Sequence, residues 1–341
     1  MKKFLSLLLG LVIAFSTFSL VACDEPNPQS QTLKMFAPDG APALSIAKFI
    51  NDNENFIDGV TVDYNVVSAN DIGPKMAQGQ ADLIVMPINA ASKLYKANAS
   101  DPYKMVSVVT HGNLFLMSSE STDLNGLNGL KGKVVGVIGQ GLVPDLTFRS
   151  VLKAHDLLDF VQVGEAPVEG KIVLRYFNDA TSLVQALMQG KLSVGLLPEP
   201  ACTNLTKMPN NYTWNRIDIQ EIYDSEAKAY PQAVFMVKSS VLTKYPTLVE
   251  KISEKFDLAV QWVVENPTTA VTAVASKLAQ GLTPSLNANN INSQVVENCK
   301  IKWLTSSEAK EYCRKYINGV ISVGADLDVP PAKALNDDFF A

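Results

Sequence analysis

One segment of this chain occurs twice. Residues 71–94, DIGPKMAQGQADLIVMPINAASKL, and 182–205, SLVQALMQGKLSVGLLPEPACTNL, share a plan of helix, glycine, short apolar strand, proline and new helix. Gly79 aligns with Gly190, Asp82 with Ser193, Met86 with Leu197 and Pro87 with Pro198, at a constant offset of 111 residues. Each copy has an upstream companion in which a strand runs through a Gly-containing turn into a helix: TLKMFA into PDGAPALSIAKFI, and KVVGVI into GQGLVPDLTFRSVL. Two such units a domain length apart predict two similar α/β lobes whose strand-to-helix loops face each other across a cleft, the kind of place where small ligands bind.

The rest of the pattern fits that plan. From residue 32 the spacing predicts strand (32–37), helix (42–53), strand (60–66), helix (70–78), strand (82–86), helix (88–97) and strand (104–110). Such alternation makes a mostly parallel sheet flanked by helices, and LIVM and VVGVI suit burial on both faces. Residues 113–131 pass from an apolar strand to a polar, Gly-rich stretch, where the chain first crosses between lobes. A second unit repeats the order over 133–219. The apolar PQAVFMVKS then leads back, and the remaining hundred or so residues, through CKIKWLTSSEAKEYC to PAKALNDDFFA, read as almost entirely helical. The expected division is a discontinuous first lobe (32–117 plus 232–341) enclosing a continuous second lobe (118–231), joined by two crossovers that act as a hinge.

At 341 residues and 47% hydrophobic content there is enough apolar material for two cores. The net charge of −5, with no basic stripe to neutralise phosphates, argues against nucleic acid as a partner, and an ordinary soluble surface suggests a monomer. Residues 1–22 stand apart. Lys2 and Lys3 precede the apolar run FLSLLLGLVIAFSTFSLVA, a secretory-signal pattern. The sequence LVAC, Leu20 to Cys23, resembles the lipobox of bacterial lipoproteins, which implies cleavage before Cys23 and a lipid on its thiol, with 24–31 as a flexible tether. The expected location is the outer face of a cell membrane. Of the other cysteines, Cys299 and Cys313 bracket one short segment and could form a local disulfide, whereas Cys202 reads as a buried small hydrophobe. His111 and His155 fit no zinc spacing, and neither a G-x-S-x-G elbow nor a Walker loop occurs, so no catalytic residue, metal or cofactor is expected.

In order and spacing the mature chain resembles the extracytoplasmic solute-binding proteins of ABC importers, in the branch serving nitrate, sulfonates, taurine and thiamine-related pyrimidines. The resemblance rests on APDGAPALSIA after the opening strand, KMAQGQADLIV before a strand, GLKGKVVGVIGQG at the start of the second lobe, and ALMQGKLSVGLLPEP as the repeat. Gln80 and Ser193 stand where the family often carries Glu and Asp, at positions suited to local turn chemistry. The resemblance implies a type II periplasmic-binding-protein fold and a lipid-anchored receptor that delivers a small solute to a membrane permease. Two alternatives are an exported enzyme on the same fold acting on a pyrimidine-like metabolite, and a sensing lipoprotein without a permease.

A protein of this shape presents five loops to its cleft: 38–42, 68–71, 87–92, 139–144 and 198–203. Each precedes a predicted helix whose free N–H groups can donate to a ligand. The candidate ligand-binding residues are Asp39, Gly40, Ser68, Asn70, Asn89, Gly139, Gln140, Gly141 and Glu199. These loops contain no Lys or Arg, so the inventory favours a donor-rich ligand, such as an aminopyrimidine or an amine, over a bare anion. Helix N-termini alone can nevertheless hold a sulfonate or carboxylate. Asp39 suits a Pro-Asp-Gly turn and Glu199 a helix start for structural reasons alone; Asn89 and Gln140 could equally cap helices. Phe36, Tyr95, Tyr176 and Trp214 could wall the site or belong to the core.

Overall fold

The structure is a computed structural model that describes residues 31–119, 124, 126–209, 211–324, 327–328 and 330–341. The secretory segment, Cys23 and residues 24–30 of the expected tether lie outside the described residues, while Gln31 already begins the first strand.

In chain order the strands are β1 (Gln31–Pro38), β2 (Val60–Val67), β3 (Leu83–Pro87) and β4 (Tyr103–Thr110). Next come β5 (Leu114–Ser119), β6 (Lys133–Ile138), β7 (Val161–Val163), β8 (Ile172–Phe177), β9 (Val194–Pro198) and β10 (Trp214–Asp218). The last two are β11 (Ala233–Lys238) and β12 (Ile301–Thr305). They form two six-stranded sheets, β12-β4-β11-β3-β1-β2 and β10-β5-β9-β6-β8-β7. The chain leaves the first sheet between Thr110 and Leu114 and returns between Asp218 and Ala233, the two crossovers of a two-lobe fold.

The internal repeat appears directly in the strand order. β1, β2 and β3 occupy the same relative places in the first sheet as β6, β8 and β9 in the second, each trio running in parallel. Leu83, Ile84, Val85 and Met86 are fully buried, as β3 is covered on both faces; Val194, Leu196 and Leu197 do the same for β9. The paired glycines end the preceding helices with matching left-handed backbones, φ +64° at Gly79 and +67° at Gly190. Such a C-terminal turn is open to glycine at little cost.

Helix boundaries follow local chemistry. Val143–Ala154 opens with Pro144 in its first turn, where the missing N–H costs nothing. Ala180–Met188 is capped by the Asp179 side chain, which accepts the Ser182 N–H at 2.8 Å. The expected helix over 42–53 is broken into Ala41–Leu44 and Ala47–Asp52. Ser45 Oγ donates to the Pro42 carbonyl at 2.6 Å at the break, a local bond that competes with the helix ladder.

The last third departs from the all-helical expectation twice. IKWLT is strand β12, with Ile301 and Trp303 turned into the core and Lys302 outward, a period of two inside a helix-rich stretch. PAKALNDDFFA is an extended tail with one short turn at Asp337–Phe339. Phe339 is fully buried edge-on to Tyr95, and Ala341 N–H reaches the Met105 carbonyl at 2.9 Å. The long helix Ser306–Val323, started by a Thr305/Glu308 capping box, packs on both lobes. Its Tyr316 hydroxyl lies 2.9 Å from Thr147 Oγ1 in the second lobe, and its ring stacks on Tyr230 at 5.6 Å. One apolar cluster therefore runs from Met86 and Ile88 through Tyr316, Ile317 and Val320 to Leu146 and Phe148.

Candidate functional site

The first lobe offers three turns at the C-terminal ends of parallel strands. After β1, Asp39 N–H bonds the Val67 carbonyl at 2.9 Å, while its carboxylate accepts from Gly40 N–H at 2.9 Å and from Ser285 N–H at 2.6 Å. Gly40 has φ +104°, which a side chain would resist. Asp39 thus ties the turn to the 285 segment with both carboxylate oxygens. After β2, Ser68 Oγ donates to Asp71 Oδ2 at 2.6 Å and accepts the Asp71 N–H at 3.2 Å, leaving Asn70 exposed. After β3, Asn89 is buried at 4% exposure. Its amide donates across the cleft to the Gly141 carbonyl and, from the same nitrogen, to the Pro331 carbonyl of the tail, each at 3.4 Å.

In the second lobe, Gly139 and Gly141 adopt φ +61° and +73°. The loop is braced from beneath: Gly141 N–H donates to Asp145 Oδ2 at 2.9 Å, and Asp145 Oδ1 accepts from Arg149 Nε at 2.9 Å and the Tyr176 hydroxyl at 2.8 Å. Arg149 Nη2 closes the triangle on Tyr176 at 3.0 Å. Asp145 is fully buried and Arg149 nearly so. Burial, and then the Asp145 charge, raise the Tyr176 hydroxyl above its ordinary pKa, so it remains a donor. Gln140, at the tip, is exposed.

Glu199, at the end of β9, is the most heavily bonded of the candidates. Its N–H donates to the Asn113 carbonyl at 2.9 Å, and Asn113 Nδ2 returns a bond to its carbonyl at 3.0 Å, fixing it to the first crossover. Its carboxylate accepts from Arg216 Nη1 at 2.7 Å, Asn298 Nδ2 at 3.1 Å, Thr203 Oγ1 at 3.1 Å and Thr203 N–H at 3.2 Å. Arg216 stands on β10 with its guanidinium 3.4 Å over the Phe115 ring. Asn298 ends the helix that feeds β12, so Glu199 bonds across the two sheets as Asn89 does.

The candidates therefore fall into two cross-lobe contacts, Asn89 with Gly141 and Glu199 with Asn298, flanked by the turns at Asp39–Gly40 and Ser68–Asn70. The loops meet at hydrogen-bonding distance, a closed arrangement. Arg216, Asn298 and Arg149 went unnoticed in the sequence because they lie on a strand, a helix end and a helix turn outside the five loops. Of the aromatic candidates, Phe36 and Tyr95 belong to the main core and Trp214 packs on the second-lobe core, while Tyr176 braces the Gly141 loop.

The disulfide expected between Cys299 and Cys313 is absent: both are free, buried thiols in different apolar clusters, Cys313 lying 4.0 Å from Met105 Sδ. Strand β12 intervenes where two adjacent helices were expected. Cys202 is also free and buried. Burial, and then the nearby Glu199 charge, raise its pKa well above the ordinary range, as befits an inert core thiol.

Neither a family model nor a curated protein sequence matches the chain. Solved structures do. An ABC transporter protein from Parabacteroides distasonis aligns with 19% identity and a TM-score of 0.70, over 91% of this chain and 99% of that one. The periplasmic aliphatic sulphonate binding protein of Escherichia coli aligns with 11% identity and a TM-score of 0.64, over 91% and 90%. A putative periplasmic sulfonate-binding protein from Methylobacillus flagellatus aligns with 11% identity and a TM-score of 0.61, over 92% of both chains. Two six-stranded sheets, two crossovers and facing strand-end loops thus give this chain the two-lobe fold of the ABC-importer solute-binding proteins.

Proposed function

We propose that the chain is the solute-capturing component of an ABC importer, holding a small organic solute between its lobes and presenting the closed form to a membrane permease. The observation that carries this is the pair of polar contacts across the cleft, Asn89 to Gly141 and Glu199 to Asn298. Single hydrogen bonds of this kind, each worth about 1 kcal/mol net, are weak enough to be made and broken as two lobes rotate. A solute touching both lobes would shift that balance toward closure. A lipid on Cys23 would hold the receptor, as a monomer, at the outer face of the membrane, with the lobe built on β5 to β10 as the moving one.

The ligand's chemistry turns on which side chains have capacity to spare. An aminopyrimidine or amine would need a carboxylate, yet Glu199 accepts four bonds and Asp39 two. Arg216 has 30% of its side chain exposed, and among the described residues its guanidinium makes one hydrogen bond, to Glu199. Its remaining N–H groups favour a solute with acceptor oxygens, such as a sulfonate or carboxylate. The test is to screen the purified full-length chain in mild detergent against alkanesulfonates, carboxylates and aminopyrimidines by thermal shift and native mass spectrometry. Saturable binding of an acceptor-bearing solute without turnover supports the proposal. Chemical conversion of a solute would replace it with an enzyme on the same fold.

A further inference from the structure

A cavity of about 500 Å³ lies at the two crossovers between the lobes. Its walls come from the first crossover (His111), the second crossover (Ala227, Ala229), strand β12 and the helix that follows it (Tyr312). β12 is the edge strand beyond β4, whereas the turns after β1 and β2 lie at the opposite end of the same sheet. None of the residues that line it is among the cleft residues named above.

Its lining is amphiphilic: Lys300, just before β12, and Lys302, exposed on it, bring two ammonium groups, and Ile301 and Leu304 bring apolar side chains. Leu304 continues into an apolar and aromatic wall made by Ala227, Ala229 and the stacked rings of His111 and Tyr312, whose centroids are 6.0 Å apart at 19°. His111 Nε2 bonds the Lys302 carbonyl at 3.1 Å, which fixes the ring plane. The two lysines differ in how far the protein neutralises them, Lys300 having a carboxylate partner and Lys302 none among the described residues. Lys300 Nζ bonds the Lys228 carbonyl and lies 3.9 Å from Asp218, and Lys302 has no ion-pair partner among the described residues. The Tyr312 hydroxyl is buried without a hydrogen-bond partner among the described residues, a costly state that a small local shift toward an acceptor would relieve.

We propose that this cavity is a second ligand site, taking a small aromatic carboxylate whose ring lies against Tyr312, His111 and Leu304 and whose carboxylate meets Lys300 and Lys302. Because both crossovers form its walls, its width changes with the angle between the lobes. An occupant therefore biases opening and closure of the cleft through this shared wall.

The probe is para-fluorobenzoate, followed by fluorine NMR on the full-length chain. We expect saturable binding, about fivefold weaker in Lys302→Ala, the exposed lysine with no ion pair to lose, and more than tenfold weaker in Ala229→Phe, which fills the cavity. Tyr312→Phe should weaken binding by about threefold if its hydroxyl turns to the carboxylate. Para-fluorobenzylamine, of the same shape and opposite charge, should not bind. Absence of saturable binding below about 10 mM, equal affinity in Lys302→Ala, or equal binding of the amine would each overturn the site. Lys302→Ala keeps the test open should Ala229→Phe not fold. A chain that bound the probe in this way but captured no cleft solute would remove the importer proposal and leave this site standing; the reverse result would remove this site alone.

Discussion

Replacing Glu199 by glutamine changes charge while keeping shape, so its effect can be worked from the contacts. The carboxylate receives N–H or O–H donors from Arg216, Asn298 and Thr203. A carboxamide offers one acceptor oxygen, and its NH₂ would have to face at least one of those donors. Arg216 would also lose its only ion-pair partner among the described residues. Breaking a fully enclosed pair from one side costs about 3–5 kcal/mol. Arg216 keeps 30% of its side chain exposed, so water recovers part of that loss and about 2 kcal/mol remains. At roughly 2–4 °C per kcal/mol for domains of this size, the unfolding midpoint should fall by about 4–8 °C. Circular dichroism melts of Glu199→Gln, Arg216→Met and the double variant form a cycle, in which a coupling of about 1–2 kcal/mol is expected. A Glu199→Gln chain melting within about 1 °C of the parent, with zero coupling, would mean that Arg216 does not hold the carboxylate. Glu199 would then be free to face a solute, and the preference for an acceptor-bearing ligand would fall with it.

The same geometry sets three further outcomes. Asn298→Ala removes one cross-lobe hydrogen bond of about 1 kcal/mol and should weaken capture of the cleft solute about fivefold in calorimetric titration, with little change in melting. Asp145→Asn leaves Arg149 buried beside a neutral partner and frees the Gly141 loop; a loss of about 3 kcal/mol in urea unfolding is expected, and none would contradict the bracing role. Burial lowers the His111 pKa from 6.5 to about 4. The unfolded chain therefore takes up a proton first, so the His111 contribution is fully present above about pH 6.5 and is lost as pH falls toward 4. Comparing urea unfolding of the parent and His111→Gln across that window should show about 3 kcal/mol more acid destabilisation in the parent.

The two-lobe plan was legible because the repeat records it. Gly79 and Gly190, and Pro87 and Pro198, occupy equivalent turns, and the strands between them are apolar enough to require burial on both faces. β12 was hidden because a five-residue strand carries only two inward residues, Ile301 and Trp303, too few for a period of two to stand out between helices. The tail defeated helix propensity because Phe339, Phe340 and Leu335 gain more by packing along β4 and the Ile88–Leu94 helix than one more helix would bury.

The candidate site was half legible. Strand-end loops locate themselves by pattern, and Asn89 and Gly141 do face each other. The partners of Glu199 were not, since Arg216 and Asn298 approach it only through sheet pairing and lobe docking, contacts 17 and 99 residues away in sequence. An inventory restricted to loops counted no arginine, so the pairing of Glu199 with Arg216 lay outside it.

The most direct measurement is small-angle scattering of the full-length chain in detergent, with and without the solute identified by the binding screen, paired with titration calorimetry on the same samples. Capture between lobes predicts one saturable site and a radius of gyration that falls on the same binding curve. A solute that binds with no change in radius, or a radius that shifts without saturable binding, would contradict closure around a ligand.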